Sequence, residues 1–208
     1  TGLIYRPCTN TAEGVCNWLV PIDSPHQLCE SCRTTHTIPA LAKPENHAYW
    51  AALERAKRRL FYTLLQLGMP APNKLDDPAN GLSFEFLEEI DTTVRVLTGH
   101  DEGVITLNIA EADDAQREKI RLSMREPYRT LLGHFRHEIG HYYWDRLIRD
   151  TGWIDEYRTL FGDERVDYAQ ALQNHYANPR ADWPLQCISA YASSHAWEDW
   201  AETWAHYL

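Results

Sequence analysis

The sequence predicts an α+β fold with a small cysteine-rich module at its amino end, on three observations. Four of the five cysteines (Cys8, Cys16, Cys29 and Cys32) fall within the first 32 residues, ahead of any sustained periodicity. Two segments rich in β-branched residues, about 92–97 and 104–110, flank the turn-forming run Thr98-Gly99-His100-Asp101-Glu102-Gly103, which is the pattern of an antiparallel strand pair. From about residue 112 onward, apolar residues recur at helical spacing. A small sheet ahead of several helices is an α+β arrangement.

Composition bounds what such a chain does. Its 208 residues, 44% hydrophobic and 24% charged, suffice for one globular body with an appendage and exclude disorder of the whole. No apolar run approaches the roughly 18–20 residues that cross a bilayer as a helix, so no membrane partner is expected. The net charge of -10 divides unevenly: residues 1–70 hold seven basic and five acidic side chains, and the remainder thirteen and twenty-five. The larger part repels a polyanion, which argues against nucleic acid as a principal ligand.

Taken in order, residues 1–45 form a loop-rich module. Cys29-Glu30-Ser31-Cys32 is a C-x2-C knuckle, whose tight turn lets two thiolates occupy adjacent corners of a tetrahedron around zinc, with Cys8 and Cys16 completing the set. Two disulfides or free thiols are the alternatives. Residues 46–70 read as a helix joining module and body, with Trp50, Leu53, Ala56, Leu60 and Leu64 spaced three or four apart and Gly68 and Pro70 ending it. The cluster Arg55, Lys57, Arg58 and Arg59 on that helix reads as a solvated face. Residues 71–208 form the body. A linker over 71–82 precedes a strand at 82–87 and the strand pair, whose 104–109 arm is expected to offer an open edge to an extended peptide. Helices follow at about 112–124, 127–150, 153–162, 163–177 and 194–208, with Pro127 suited to a first turn. Lone Cys187 reads as a buried small hydrophobe.

The most informative stretch is His137-Glu138-Ile139-Gly140-His141. At about 100° per residue the two histidines stand one turn apart on one helix face, so both imidazoles reach one ion. Glu138 lies close enough to touch a metal-bound water without being a ligand, which is where a general base belongs. Random sequence of this composition yields roughly 0.04 copies of H-E-x-x-H per chain. A third ligand is sought near the carboxyl end, where Trp197, Trp200, Trp204 and Leu208 form the apolar stripe of a helix. Glu198 and Glu202 share another face of it, among small residues. Two such carboxylates need partners, which a cation and a ligating histidine supply. Glu198 is therefore assigned to the metal and Glu202 to orienting a histidine through its other ring nitrogen. Asp163, Asp167 and His134 remain competing ligands.

The residues 126–145, which contain Leu131-Leu132-Gly133-His134-Phe135-Arg136-His137-Glu138, and Trp197-Glu198-Asp199-Trp200-Ala201-Glu202-Thr203-Trp204-Ala205 resemble a bacterial family named "putative zinc-binding metallopeptidases". Cys16-Asn17-Trp18-Leu19-Val20, the Cys29 to Cys32 knuckle, Ala56-Lys57-Arg58-Arg59-Leu60 and Leu107-Asn108-Ile109-Ala110-Glu111 extend the likeness over nearly the whole chain. Ala196 stands where that family usually has Pro. The resemblance implies a zincin-like fold of the glutamate type, with His137, His141 and Glu198 as zinc ligands and Glu138 as base. It also implies a zinc ribbon ahead of this region and sequence beyond the last helix, so that both ends are trimmed.

The expected activity is zinc-dependent hydrolysis of peptide bonds in a peptide or protein substrate, with one catalytic and one structural zinc. Tyr191 and His195 are candidate donors to the oxyanion. A non-catalytic or latent zinc-stabilised binding module is the rival reading. Thiolates holding zinc favour a reducing interior, hence the bacterial cytoplasm.

Overall fold

A computed structural model describes residues 2–69, 71–89, 95–124 and 129–208. The chain forms two compact units, 1–135 and 136–208. Its architecture is mixed α+β, with small sheets and a run of helices.

In the first unit, β1 (Tyr5–Pro7) and β2 (Leu19–Pro21) pair antiparallel, Arg6 opposite Val20. The four cysteines and Val20 are buried beneath this ribbon, with Trp18 and Leu28 packed against them. So small a cluster is too little to hold a fold by hydrophobic burial alone. A single turn, α1 (Glu30–Arg33), starts at the knuckle, and β3 (Thr35–Thr37) follows. The long α2 (Pro44–Gln66) carries Pro44 in its first turn, buries Trp50, Leu53, Leu60, Phe61 and Leu64, and stops at Gly68 in the left-handed region (φ 66°).

Beyond α2, β4 (Ser83–Leu87), β5 (Gly99–Asp101) and β6 (Val104–Asn108) join β3 in one sheet of order β3-β4-β6-β5, parallel except for β5 against β6. Phe84, Phe86, Ile105 and Leu107 are fully buried, and Phe84 and Phe86 meet Phe135 at ring separations of 5.6 and 6.2 Å. Three sequence expectations change here. The hairpin's first arm is Gly99–Asp101 rather than 92–97, because Glu102 and Gly103 (φ 44° and 81°) make a two-residue turn and leave the preceding residues free to pair. Residues 92–94 of the expected arm lie outside the described residues. The edge of β6 is not open either: Val104 to Thr106 pair with β4 on one side and β5 on the other.

The third correction concerns the basic cluster. Arg55 and Arg59 are exposed, but Lys57 is completely buried and Arg58 nearly so. Lys57 pairs with Glu54 (3.2 Å) and Thr35, and Arg58 donates to Val15 O beside Cys16. Lys57 lies over the Phe84 and Phe86 rings and Arg58 reaches the cysteine loop, so charge alone misreads them as solvent-facing. Two further helices follow in this unit. Asp113 caps α3 (Asp114–Met124) by accepting from Ala115 N and Gln116 N, and α4 (Leu131–Leu147) runs on into the second unit. The expected start of α4 at Pro127 lies outside the described residues.

The second unit adds α5 (Ile154–Phe161), α6 (Tyr168–Ala177) and α7 (Ala196–Tyr207) to the rest of α4. The helix expected over 163–177 starts only at Tyr168. Gly162 (φ 101°) ends α5, Asp163 is tied to Arg165, and Asp167 caps α6 by accepting from Gln170 N. Trp144, Ile148 and Tyr157 form the core, with Trp197 and Trp200 half-buried against it. Helix α7 meets α4 at Gly140, whose carbonyl accepts from Trp200 Nε1 (2.8 Å). A Cβ at Gly140 would stand 3.1 Å from Ala201 Cα and 3.2 Å from Trp204 Cβ. Gly140→Ala is therefore expected to cost about 1–3 kcal/mol by overpacking, read as a lowered thermal midpoint, and to loosen the side chains that the two helices share. No helix among the described residues is long and apolar enough to cross a membrane.

Candidate metal centres

Two groups of side chains among the described residues bring metal-ligating atoms within 4.8 Å of one another: Cys8, Cys16, Cys29 and Cys32, and His137, His141 and Glu198. Each is assembled by a separate local device.

The four sulfurs come from two loops. Cys8 and Cys16 bracket the turns between β1 and β2, and Cys29 and Cys32 bracket the start of α1. Backbone N–H groups of Cys29 and Trp18 point at Cys8 Sγ (3.3 Å) and Cys16 Sγ (3.4 Å). Cys16 and Cys29 Sγ lie 3.7 Å apart, far beyond the bond length of about 2.05 Å in a disulfide. It matches the edge of about 3.8 Å in a tetrahedron with zinc–sulfur bonds of about 2.3 Å. Hydrogen bonds from Cys29 and Cys32 hold the Cys16 thiol well below the usual range, while the contact with Cys16 pushes Cys29 up. Four buried sulfurs so close fit a cation among them. Cys187 stands apart, half-buried rather than buried, donating from its thiol to Asp199 (3.8 Å).

The second group lies wholly in the second unit. His137 and His141 stand on one face of α4 with Nε2 atoms 3.1 Å apart, and Glu198 comes from the first turn of α7. Glu198 Oε2 is 3.0 Å from His137 Nε2 and 3.5 Å from His141 Nε2. These three edges bracket the roughly 3.3 Å between ligand atoms that sit about 2.0–2.1 Å from a tetrahedral zinc. Two imidazole nitrogens and a carboxylate oxygen facing one point carry more lone pairs than protons, which a cation resolves. Glu198 is 1% exposed, and its bonds to the two histidines hold its carboxyl well below the usual range against the opposing effect of burial.

The surroundings orient each of these atoms. Glu202 Oε1 sits 2.8 Å from His137 Nδ1, and Ser189 donates to Glu202 Oε2 (2.7 Å). The hydroxyl of Tyr168 donates to Glu198 Oε1 (2.5 Å). Trp197 lies against His141 with ring centroids 3.8 Å apart. Sequence reasoning did not find Ser189 or Tyr168, which lie in no motif and act across 13 and 30 residues. Glu138 is 7% exposed, and burial, with the nearby Glu198 charge, pushes its carboxyl up to about 7 against the pull of His137.

The remaining candidates are placed elsewhere. Asp163 pairs with Arg165, Asp167 caps α6, and His134 Nδ1 stands 3.4 Å from Glu111. His195 caps α7: Nδ1 accepts from Trp197 N (3.1 Å) and Nε2 lies 3.1 Å from Val166 O. Both ring nitrogens thus serve the backbone, which leaves His195 no donor for an oxyanion and corrects that expectation. Tyr191 is half-buried, with its ring centroid 6.0 Å from that of His137.

A family model described as "putative zinc-binding metallo-peptidase" matches residues 46–208, and one described as "zinc-ribbon domain" matches residues 1–43. The four-cysteine segment is thus similar to a zinc ribbon. Among curated proteins, uncharacterized proteins of Mycobacterium bovis and of two strains of Mycobacterium tuberculosis are each 48% identical over 203 residues, 97% of this chain and 59% of the relative. The chain spans 59% of the length of those relatives. No solved structure matches it.

Proposed function

The chain belongs to the family of "putative zinc-binding metallo-peptidases", and from that membership we propose that His137, His141 and Glu198 hold a zinc ion at which Glu138 supports hydrolysis of peptide bonds. The observation that carries this reading is the triangle of three ligand atoms, 3.0 to 3.5 Å on a side, with Glu138 buried on the same helix. A purely structural site of this composition has no use for Glu138. When bound, the zinc supplies Lewis acidity toward water and a carbonyl oxygen. Glu138 takes a proton from the attacking water and passes it to the leaving amine. Tyr191, kept protonated by burial and the Glu198 charge, offers its hydroxyl to the carbonyl oxygen. Glu202, braced by Ser189, fixes the ring orientation of His137. The four cysteines hold a second, structural zinc, and a reducing interior, the cytoplasm, keeps their thiols unoxidised.

Elemental analysis tests the assignment directly. The wild-type chain is expected to hold two zinc ions, and Glu198→Gln one, because an amide in that position neither carries charge nor binds zinc well. Two ions retained by Glu198→Gln would place the second centre elsewhere. Two ions on the wild type with no turnover of any peptide library would instead favour a latent or non-catalytic protein.

A further inference from the structure

The start of α6 is fixed from two sides. Asp167 caps the helix through Gln170 N, and Val166 O is held by His195 Nε2. Because His195 Nδ1 accepts from Trp197 N, one imidazole fastens the first turn of α6 to the first turn of α7. Tyr168, the first residue of α6, stands edge-on to the His195 and Trp197 rings at 5.3 and 5.9 Å. Its hydroxyl meets Glu198 Oε1 at 2.5 Å, where Glu198 is almost closed to water. So much scaffolding aims one hydroxyl at one oxygen of one carboxylate.

We propose that Tyr168 is a positioning residue that restricts Glu198 to a single ligating oxygen, an assignment that rests on the reading of His137, His141 and Glu198 as a zinc centre. A carboxylate binds a cation through one oxygen or two. A second oxygen on the ion would take the position that a hydrolytic centre keeps open. With Oε1 committed to the phenol, Oε2 alone faces the two imidazole nitrogens, at 3.0 and 3.5 Å. Tyr168 thereby does for Glu198 what Glu202 does for His137: it selects which atom faces the ion and in which direction.

Tyr168→Phe keeps the ring and its packing and deletes only the hydroxyl. In the full chain it is expected to weaken zinc at this centre about 10–100-fold in chelator competition. With cobalt(II) in place of zinc, the variant's visible d–d absorption should fall, as Oε1 joins the ion and the coordination number rises. Turnover should drop through kcat with little change in KM. Equal thermal midpoints for the metal-free variant and the metal-free wild type would locate these effects at the ion rather than in the fold. Tyr191→Phe, which leaves the Tyr168 hydroxyl on Glu198, should keep the wild-type cobalt spectrum. Wild-type zinc affinity and an unchanged cobalt spectrum in Tyr168→Phe would overturn the proposal, as would the same spectral loss in Tyr191→Phe. A wild-type chain retaining only the four-cysteine ion would overturn the underlying centre, and this assignment with it.

Discussion

Glu138→Gln is expected to leave two zinc ions on the chain and to lower kcat by about 10²–10⁴-fold, the usual worth of a positioned acid–base group. An amide fills the same volume and accepts a hydrogen bond but cannot carry a proton from water to the leaving amine. The environment of Glu138 suits that task. Burial raises its carboxyl to about 7 in the metal-free chain, so a proton taken there is readily given up again. A dication close by favours the carboxylate and brings that value down. The acid limb of the pH–rate profile should therefore fall below 7, with activity lost as pH drops through it and the base becomes protonated. Full activity in Glu138→Gln, measured on any substrate the wild type cleaves, would remove Glu138 from the reaction.

Loss of the four-cysteine ion is expected to unfold the amino-terminal segment outright. Its buried cluster contains Val20 and four cysteines, with Trp18 and Leu28 alongside, too little apolar surface to repay the ordering of some forty residues. Structural zinc in comparable small modules contributes roughly 10–16 kcal/mol of apparent binding free energy, which is as large as the whole stability of an ordinary domain. Cys32→Ser, at a position only 1% exposed, removes one thiolate and leaves a hydroxyl that stays neutral. Amide hydrogen exchange should then become fast across residues 5–37 while amides of α4 and α7 stay protected, and the zinc count should fall by one. Slow exchange in β1 and β2 of that variant would mean that α2, through Arg58 to Val15 O, holds the module unaided.

Residues at short sequence separation were the legible ones. His137 and His141 converge because helical geometry alone puts them on one face, and Glu198 and Glu202 share a face of α7 for the same reason. The order of helices was legible too, since Gly68 and the apolar periodicity mark several of their limits locally. What stayed hidden depends on distant partners. Nothing near Tyr168 announces that its hydroxyl meets a carboxylate 30 residues on, and nothing near Lys57 announces that Thr35, 22 residues back, receives its ammonium. His195 carried a local signal that was read for the wrong purpose: a histidine just before a helix start is placed to cap that helix. The strand pair shifted because a two-residue Glu-Gly turn needs less chain than the six residues allotted to it.

The Trp197 ring against His141 has an optical consequence. An indole within 3.8 Å of an imidazole changes its emission when that imidazole gains a proton or a cation, so part of the chain's tryptophan fluorescence reports directly on one ligand of the centre. Titrating zinc into chelator-treated protein should thus give an emission change that Trp197→Phe removes. Such a change would make Trp197 a probe of metal loading at the proposed centre, readable without any substrate.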